Sequence, residues 1–236
     1  MFKGLFVLES QPMSEKTTLV LASNSPRRKQ LLSLGGWAFS VRVADVDESQ
    51  RPGEAPGEYV LRLAEAKARK SAESMGAGQI VLAADTAVVD AGDILGKPGD
   101  VSDAVRMLER LRGHTHQVCT GVALLRVSDS YIQTSLSVTD VPMRNYTDAE
   151  IAAYVATGDP LDKAGAYAIQ HDGFRPVENL TGCYASVMGL PLCRVTALLA
   201  EIGLSPRAQV DLKCQTELRY PCSVADRELR SDLIVQ

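Results

Sequence analysis

The sequence lacks three features that would each point to a particular class of protein. No stretch is long and apolar enough to span a bilayer, and the apolar patch within residues 1–10 is too short for a signal peptide. Positive charge is not in excess, because the formal net charge is −4. We therefore expect no membrane partner and no nucleic-acid partner, and any site for a polyanion must be a local cluster.

Paired cysteines are also missing. The five cysteines are odd in number and scattered, and no two of them form a Cys-x-x-Cys motif. Such a set is not typical of a disulfide framework or of a zinc site, so we expect reduced thiols in a cytoplasmic protein. Hydrophobic residues make up 45% of the 236 residues, which is ample for a core.

One stretch near the beginning of the chain combines a strand, a turn and a helix. The apolar residues 19–22 predict a buried strand, and three small polar residues then lead into a helix beginning at Pro26. Ser25 is a favoured N-cap, and proline suits the first helical turn. Arg27 and Arg28 would then lie at a helix N-terminus that already carries partial positive charge. This placement favours a bound phosphate over a surface helix with solvated arginines.

A second apolar run, residues 79–84, is followed by Asp85 and Thr86. Such a run predicts a central strand of a helix-covered sheet, where ligands bind at the carboxyl ends of strands. The apolar residues 87–89 follow directly, so a plain surface turn at Asp85 is the weaker alternative. A predicted hairpin then leads to Lys97, between glycine and proline, which we interpret as a phosphate partner rather than a solvated turn lysine.

Several polar residues leave two interpretations open. Asp47 and Glu48 follow a predicted strand, where they serve either as solvated turn formers or as ligands of a divalent cation. Lys67 flanks the buried face of a predicted helix, where most charges are surface charges. His114 and His116 share one predicted strand face, but two ligands without a third make a weak case for a metal site.

Periodicity also predicts the organisation of the chain. We expect a flexible leader over residues 1–17, a domain over residues 18–204, and a tail or loosely attached appendage of unknown role over residues 205–236, where clear periodicity is lost. Within the domain, alternation predicts an antiparallel strand pair over residues 116–127 and 131–143. After this strand pair, Gln170 offers an amide suited to a base edge.

The motifs of residues 18–204, taken in order, resemble the Maf (septum-formation-inhibitor) family of nucleoside triphosphate pyrophosphatases. No single motif is decisive, but their order and spacing together are specific. The matching segments are Leu-Ala-Ser-x-Ser-Pro-Arg-Arg (21–28), Asp-Glu (47–48), Ala-Glu-Ala-Lys-Ala (64–68), Ala-Asp-Thr (84–86), Gly-Lys-Pro (96–98), Gly-x-x-His (113–116), Thr-Gly (120–121), Asp-Lys-Ala-Gly-Ala-Tyr (162–167), Ile-Gln (169–170) and Gly-Leu-Pro (189–191).

The resemblance implies an α/β fold related to inosine triphosphate pyrophosphatases, with an elongated mixed sheet flanked by helices and two lobes around a central cleft. It also implies hydrolysis of the α–β phosphoanhydride of a nucleoside triphosphate, with a divalent metal, usually Mg²⁺ or Mn²⁺. The pattern Lys-Ala-Gly-x-Tyr-x-Ile-Gln resembles the branch of the family that acts on dTTP and UTP. Members are often homodimers, although no stretch of this sequence is typical of an interface.

The resemblance carries residue roles as well. It implies that Asp85 is the catalytic acid/base. The chemistry of carboxylates makes Glu48 and Asp85 candidate metal ligands as well, and both roles stay open for Asp85, since an ionised carboxylate serves either. The resemblance also implies substrate choice by Arg28, Thr86 and Gln170, and further cleft contacts by Ser23, Arg27, Glu48, Lys67 and Lys97. This sequence departs from the family pattern at two places. On the catalytic strand, Ala84 stands where glycine is more usual. After Gln170, residues 171–174 replace a more glycine-rich turn, which concerns base selection.

Two other functions remain as alternatives. One is a pyrophosphatase for purine nucleotides of the inosine or xanthosine triphosphate type. The other is a nucleotide-binding regulator of cell division without turnover. The combination of Asp85 with Lys67 and Lys97 argues against the regulator, because a binder needs the cations but not the buried carboxylate.

Overall fold

The structure is a computed structural model that describes residues 18–224. The predicted leader and residues 225–236 of the predicted tail lie outside this range. The strands are β1 (Thr18–Leu21), β2 (Phe39–Val41), β3 (Gln79–Asp90), β4 (Asp93–Leu95), β5 (Thr115–Arg126) and β6 (Tyr131–Pro142). The helices are α1 (Pro26–Ser33), α2 (Pro56–Ala72), α3 (Val101–Leu111), α4 (Asp148–Val155), α5 (Tyr184–Val187), α6 (Leu192–Glu201) and α7 (Val210–Leu218), with 3₁₀ turns at Asp159–Asp162 and Ala164–Ala166.

The strands form one mixed sheet in the order β2-β1-β3-β5-β6, and β4 pairs with the far end of β3. β1 runs parallel to β2 and β3, whereas β5 is antiparallel to both of its neighbours, β3 and β6. The predicted antiparallel pair is confirmed, with a register that runs from Thr115 opposite Pro142 to Arg126 opposite Tyr131. The predicted mixed α/β fold with flanking helices is therefore confirmed.

Helices cover both faces of the sheet. α2 packs against β3 and β5, and its Val60, Leu63 and Ala64 are fully buried as their helical spacing predicts. The approach is close, because a Cβ atom at Gly121 of β5 would lie 2.6 Å from the Val60 carbonyl oxygen. Only glycine fits there. The larger core lies on the other face, where α6 packs against β5.

β3 is longer than the sequence predicts, which corrects the expected position of Asp85. Asp85 lies in the middle of β3, opposite Gly121 of β5, and not at the strand's carboxyl end. The parallel neighbour β1 pairs with β3 only as far as Leu21 opposite Leu82. Because β1 stops there and the chain turns into α1, the side of β3 next to Asp85 is left open. The open side next to Asp85 therefore lies at the carboxyl end of β1, not at that of β3.

Residues 205–224 also differ from the expected loose appendage. They contain α7, which the sequence analysis did not predict, and Val210 at its start is 4% exposed and joins the larger core. The Tyr220 hydroxyl donates to the carbonyl oxygens of Leu180 (2.9 Å) and Gly182 (3.0 Å). This part of the predicted tail is packed on the domain. Across residues 18–224, no helix is long and apolar enough to cross a membrane.

Candidate active site

The predicted site residues come from distant parts of the chain and meet at one cleft of about 710 Å³. All of them except Ser23 line it: Arg27, Arg28, Glu48, Lys67, Asp85, Thr86, Lys97 and Gln170. Ser23 is buried behind Arg28, to which its hydroxyl is hydrogen-bonded. The fold therefore brings the predicted residues together, with two arginines from α1, a lysine from α2 and an aspartate from β3.

Lys67 joins the two carboxylates of the cleft. Its Nζ lies 2.5 Å from Asp85 Oδ1 and 2.6 Å from Glu48 Oε1. Asp85 is 8% exposed, whereas the Glu48 side chain is 60% exposed on a loop. The hydrogen bond from Lys67 lowers the pKa of the Glu48 carboxyl. A single ammonium group thus holds a buried and an exposed carboxylate within reach of each other.

Glu48 reaches the cleft from an irregular segment. The strand before it, β2, stops at Val41 and does not extend towards Glu48 as the sequence predicts. The hydroxyl of Tyr59 on α2 donates to the Glu48 carbonyl oxygen at 2.9 Å. The position of Glu48 beside Lys67 is thus fixed from α2 through both its backbone and its side chain.

Arg28 ties three segments together as well as lining the cleft. Its Nε donates to the carbonyl oxygen of Gly189 at 2.9 Å, Nη1 to Ser23 Oγ at 3.3 Å, and Nη2 to Thr86 Oγ1 at 3.2 Å. Burial lowers the pKa of the guanidinium, although the Asp85 carboxylate acts in the opposite direction. A guanidinium has five N–H donors, so these bonds leave donors for a substrate anion. The predicted N-cap is confirmed, since Ser25 Oγ accepts from the Arg28 N–H at 3.4 Å.

Thr86 continues this network into the sheet. Its Oγ1 lies 3.1 Å from Thr120 Oγ1, and Thr120 donates to the Ser186 carbonyl oxygen at 2.9 Å. Gly189 has φ +102°, and a Cβ there would lie 3.2 Å from Thr86 Oγ1. The turn packs closely against Thr86 because Gly189 has no side chain.

Lys97 and Gln170 also line the cleft, and both are exposed. Lys97 follows β4, and the predicted hairpin is confirmed by the pairing of Val88 with Leu95. The N–H of Gly165 donates to the Gly96 carbonyl oxygen at 3.0 Å, which links the Lys97 loop to the 3₁₀ turn near Gln170.

Sequence reasoning missed Lys163, which also lines the cleft and is only 8% exposed. Its Nζ lies 2.9 Å from Asp159 Oδ1 and 2.6 Å from Asp162 Oδ1. A lysine with aspartates one and four residues before it was the available signal.

The two histidines pair with protein groups, in agreement with the weak case for a metal between them. His114 Nε2 lies 2.9 Å from Asp90 Oδ1, and His116 Nε2 lies 2.8 Å from the Tyr167 hydroxyl. Burial lowers the pKa of His116 to about 4, so the ring is neutral at pH 7. The five cysteines, all within residues 18–224, are free thiols.

Metal binding would depend on Glu48 and Asp85 together with the substrate. Over residues 18–224, no group of three or more His, Cys, Asp and Glu residues could hold a metal ion. Two carboxylates beside one cleft still fit Mg²⁺, which is commonly held by one or two carboxylates plus substrate phosphates. The donor set is oxygen only, which suits Mg²⁺ or Mn²⁺ rather than a soft metal.

A mixed sheet with a cleft of converging cations and carboxylates defines an α/β protein built to bind a polyanion. Residues 18–202 match the family model described as "Maf-like protein". The match covers most of the chain, and the chain belongs to the Maf family.

Two relatives are similar to this chain over nearly their whole length. The dTTP/UTP pyrophosphatase of Anaeromyxobacter dehalogenans (strain 2CP-C) is 50% identical over 187 residues, which cover 78% of this chain and 94% of that protein. The dTTP/UTP pyrophosphatase of Hahella chejuensis (strain KCTC 2396) is 48% identical over 79% of this chain and 92% of that protein. The solved Staphylococcus aureus Ham1 protein is similar over 54% of this chain and 72% of that chain, at 15% identity and a TM-score of 0.38, which is a distant likeness only.

Proposed function

We propose that this protein is a nucleoside triphosphate pyrophosphatase that hydrolyses the α–β phosphoanhydride of dTTP and UTP. One water is added across that bond, and the products are the nucleoside monophosphate and pyrophosphate. The observation that carries the proposal is the contact of Lys67 with both Asp85 and Glu48 in a cleft shared with Arg28 and Lys97. The names of the two similar proteins support the choice of dTTP and UTP.

The cations bind the triphosphate in this proposal. A triphosphate carries about four negative charges at neutral pH, so cleavage requires positive groups placed around the phosphates beforehand. We assign this role to Arg27, Arg28, Lys67 and Lys97, which line the cleft. Arg28 is held by protein acceptors on three sides, so its orientation is fixed before the substrate arrives. Such preorganisation avoids a cost of reorientation during the reaction.

We assign Asp85 the acid/base role and Glu48 a share in holding the metal with it. A divalent cation bound there, Mg²⁺ or Mn²⁺, would offset the charge that develops on the phosphates. Lys67 orients the Asp85 carboxylate through a bond of 2.5 Å, so that the carboxylate can take a proton from the attacking water. Ser23 acts behind Arg28, and Thr86 fixes the same guanidinium from β3.

We assign the part of the cleft around Gln170 to the nucleobase. Gln170 presents an amide that both donates and accepts, which is the pattern needed to read the edge of thymine or uracil. Gln170 lines the same cleft as the cations, and its exposed side chain is available to a ligand. The phosphates would then lie towards Asp85 and the base towards the 3₁₀ turns.

The test is product analysis over a nucleotide panel. The protein is incubated with Mg²⁺ and, separately, dTTP, UTP, dITP, XTP, GTP and 7-methyl-GTP, and the products are identified as monophosphate or diphosphate. We expect monophosphate and pyrophosphate from dTTP and UTP, with much slower turnover of the others. Faster turnover of dITP or XTP would instead favour the purine-type alternative. Binding without turnover of any nucleotide would favour the non-catalytic regulator.

Two further expectations belong to this proposal. A cytoplasmic location is supported by the free thiols, which oxidising compartments rarely leave unpaired. A homodimer is implied by the resemblance alone, and sedimentation of the purified protein would test it.

A further inference from the structure

A hydrogen-bonded network lies directly behind the base-facing wall of the cleft. The hydroxyl of Tyr154 on α4 donates to Asp159 Oδ2 at 2.7 Å and accepts from the backbone N–H of Ala168 at 3.0 Å. Tyr154 is 2% exposed, and Ala168 is 4% exposed. One buried hydroxyl therefore connects the turn at Asp159 with the segment that carries Gln170, two residues beyond Ala168.

Lys163 completes the network from the cleft side. Its Nζ donates to the carbonyl oxygen of Asp159 at 2.6 Å and lies 2.9 Å from Asp159 Oδ1. Asp159 thus receives Tyr154 on one carboxylate oxygen and Lys163 on the other. Burial would raise the pKa of Asp159, but the hydrogen bonds from Tyr154 and Lys163 outweigh it and lower that pKa. The carboxylate stays charged and holds both partners.

The ring of Tyr154 packs on the residues that follow Gln170. It stacks on Phe174 with a centroid distance of 4.3 Å and an interplanar angle of 13°, and the His171 ring lies 4.6 Å away. The His171 N–H also donates to the Ala168 carbonyl oxygen at 3.1 Å, which closes a turn around Gln170. Tyr154 therefore contacts the chain on both sides of Gln170.

We propose that Tyr154, Asp159 and Lys163 are positioning residues that hold the turn of residues 168–171 so that Gln170 faces the nucleobase. This inference rests on the proposed function. The resemblance expects a glycine-rich turn after Gln170, whereas here His171 and Phe174 pack against Tyr154. Side-chain packing on Tyr154 fixes the turn, and base selection depends on it.

The predicted effect follows from where the network acts. Loss of the Tyr154 hydroxyl leaves the Ala168 N–H without its buried acceptor and Asp159 Oδ2 without its donor, although Lys163 still pairs with Asp159 Oδ1, so the turn loosens. Gln170 would then bind the base less well, while Lys67 and Asp85 stay in place. We expect KM for dTTP to rise on the order of tenfold, with kcat changed by less than about twofold. The preference for dTTP over dGTP in kcat/KM falls by a similar factor.

The test compares Tyr154→Phe with Tyr146→Phe. Tyr146 is also buried, its ring lies 4.8 Å from that of Phe174, and its hydroxyl donates to the Leu108 carbonyl oxygen at 2.7 Å. The control variant removes one buried hydroxyl next to the same phenylalanine, without touching Asp159 or Ala168. KM, kcat and selectivity are measured for both, and hydrogen exchange is followed over residues 166–172. If Tyr154→Phe does not fold, Asp159→Asn takes its place.

Three outcomes decide the matter. Raised KM, lost selectivity and faster exchange of the Ala168 amide in Tyr154→Phe alone support the inference. Equal KM and selectivity in Tyr154→Phe and Tyr146→Phe overturn it, while turnover of dTTP by the parent leaves the proposed function standing. If the parent hydrolyses no nucleotide, the proposed function fails and the claim on selectivity falls with it. The exchange rate of the Ala168 amide then reports on the network alone.

Discussion

Lys67 Nζ lies 2.5 Å from Asp85 Oδ1, so one ammonium group of α2 holds the buried carboxylate of β3. The same nitrogen lies 2.6 Å from Glu48 Oε1. Lys67 is 13% exposed at its side chain, so this contact is only weakly screened by solvent. Removing the lysine would take away the ion pair of both carboxylates.

Replacement of Lys67 by methionine should therefore lower kcat/KM for dTTP by about a hundredfold, the loss typical for a group that stabilises charge in a reaction. The matched control is Lys70→Met on the same helix, because Lys70 pairs with Glu73 at the surface. Steady-state kinetics of both variants make the comparison. Equal rates in the Lys67 variant and the control would contradict the role of Lys67.

Glu48 gives a separate prediction about the metal. Replacement of Glu48 by glutamine removes one charged ligand candidate, so the Mg²⁺ concentration for half-maximal activity should rise on the order of tenfold. Glu65→Gln is the control, since Glu65 pairs with Arg69 on the exposed side of α2. Titration of activity with Mg²⁺ measures the shift. Unchanged Mg²⁺ dependence in Glu48→Gln would remove Glu48 from the metal site.

His116 predicts how stability depends on pH. Burial lowers its pKa from 6.5 to about 4, so between these values the unfolded chain binds a proton that the folded protein does not. Stability from this residue is complete above pH 6.5 and is lost as the pH falls towards 4, by about 3 kcal/mol. Urea unfolding of the parent and of His116→Gln at pH 7 and at pH 4.5 measures it. Between pH 7 and pH 4.5 the free energy of unfolding should fall less in the variant than in the parent. Equal falls in the two proteins would refute the lowered pKa of His116.

The packing of α7 predicts a difference between two residues of one helix. Val210 is 4% exposed in the core, whereas Leu212 is 54% exposed. Val210→Ala should lower the free energy of unfolding by about 2 kcal/mol, because it leaves a cavity. Leu212→Ala should change it by less than about 0.5 kcal/mol. Similar losses in the two variants would mean that α7 does not pack on the core.

Local signals were sufficient for much of the fold. The strand, cap and proline around Ser25 form the predicted strand–turn–helix, because each preference acts within a few residues. The long antiparallel pair of β5 and β6 follows from alternation and a short turn. Burial of Val60 and Leu63 follows from helical spacing.

Non-local contacts explain what the sequence could not predict. Polar residues at Asp85 and Thr86 are typical of a strand end, and only the pairing of β3 with β5 carries the strand through them. α7 lies in a charged segment, and Val210, Cys214 and Leu218, spaced four residues apart, pack it on the core. The bond from Arg28 Nε to the Gly189 carbonyl oxygen spans 161 residues, and the bond from the Ala168 N–H to the Tyr154 hydroxyl joins α4 to the cleft across 14 residues.

The most direct measurement is pyrophosphate release from dTTP by the parent and by Asp85→Asn, with Mg²⁺ present and dTTP binding followed in parallel. We predict that the parent forms the monophosphate and pyrophosphate, and that Asp85→Asn is slower by about a hundredfold or more while still binding dTTP. Turnover of dTTP by Asp85→Asn at the parent's rate would contradict the assignment of Asp85 and the mechanism built on it.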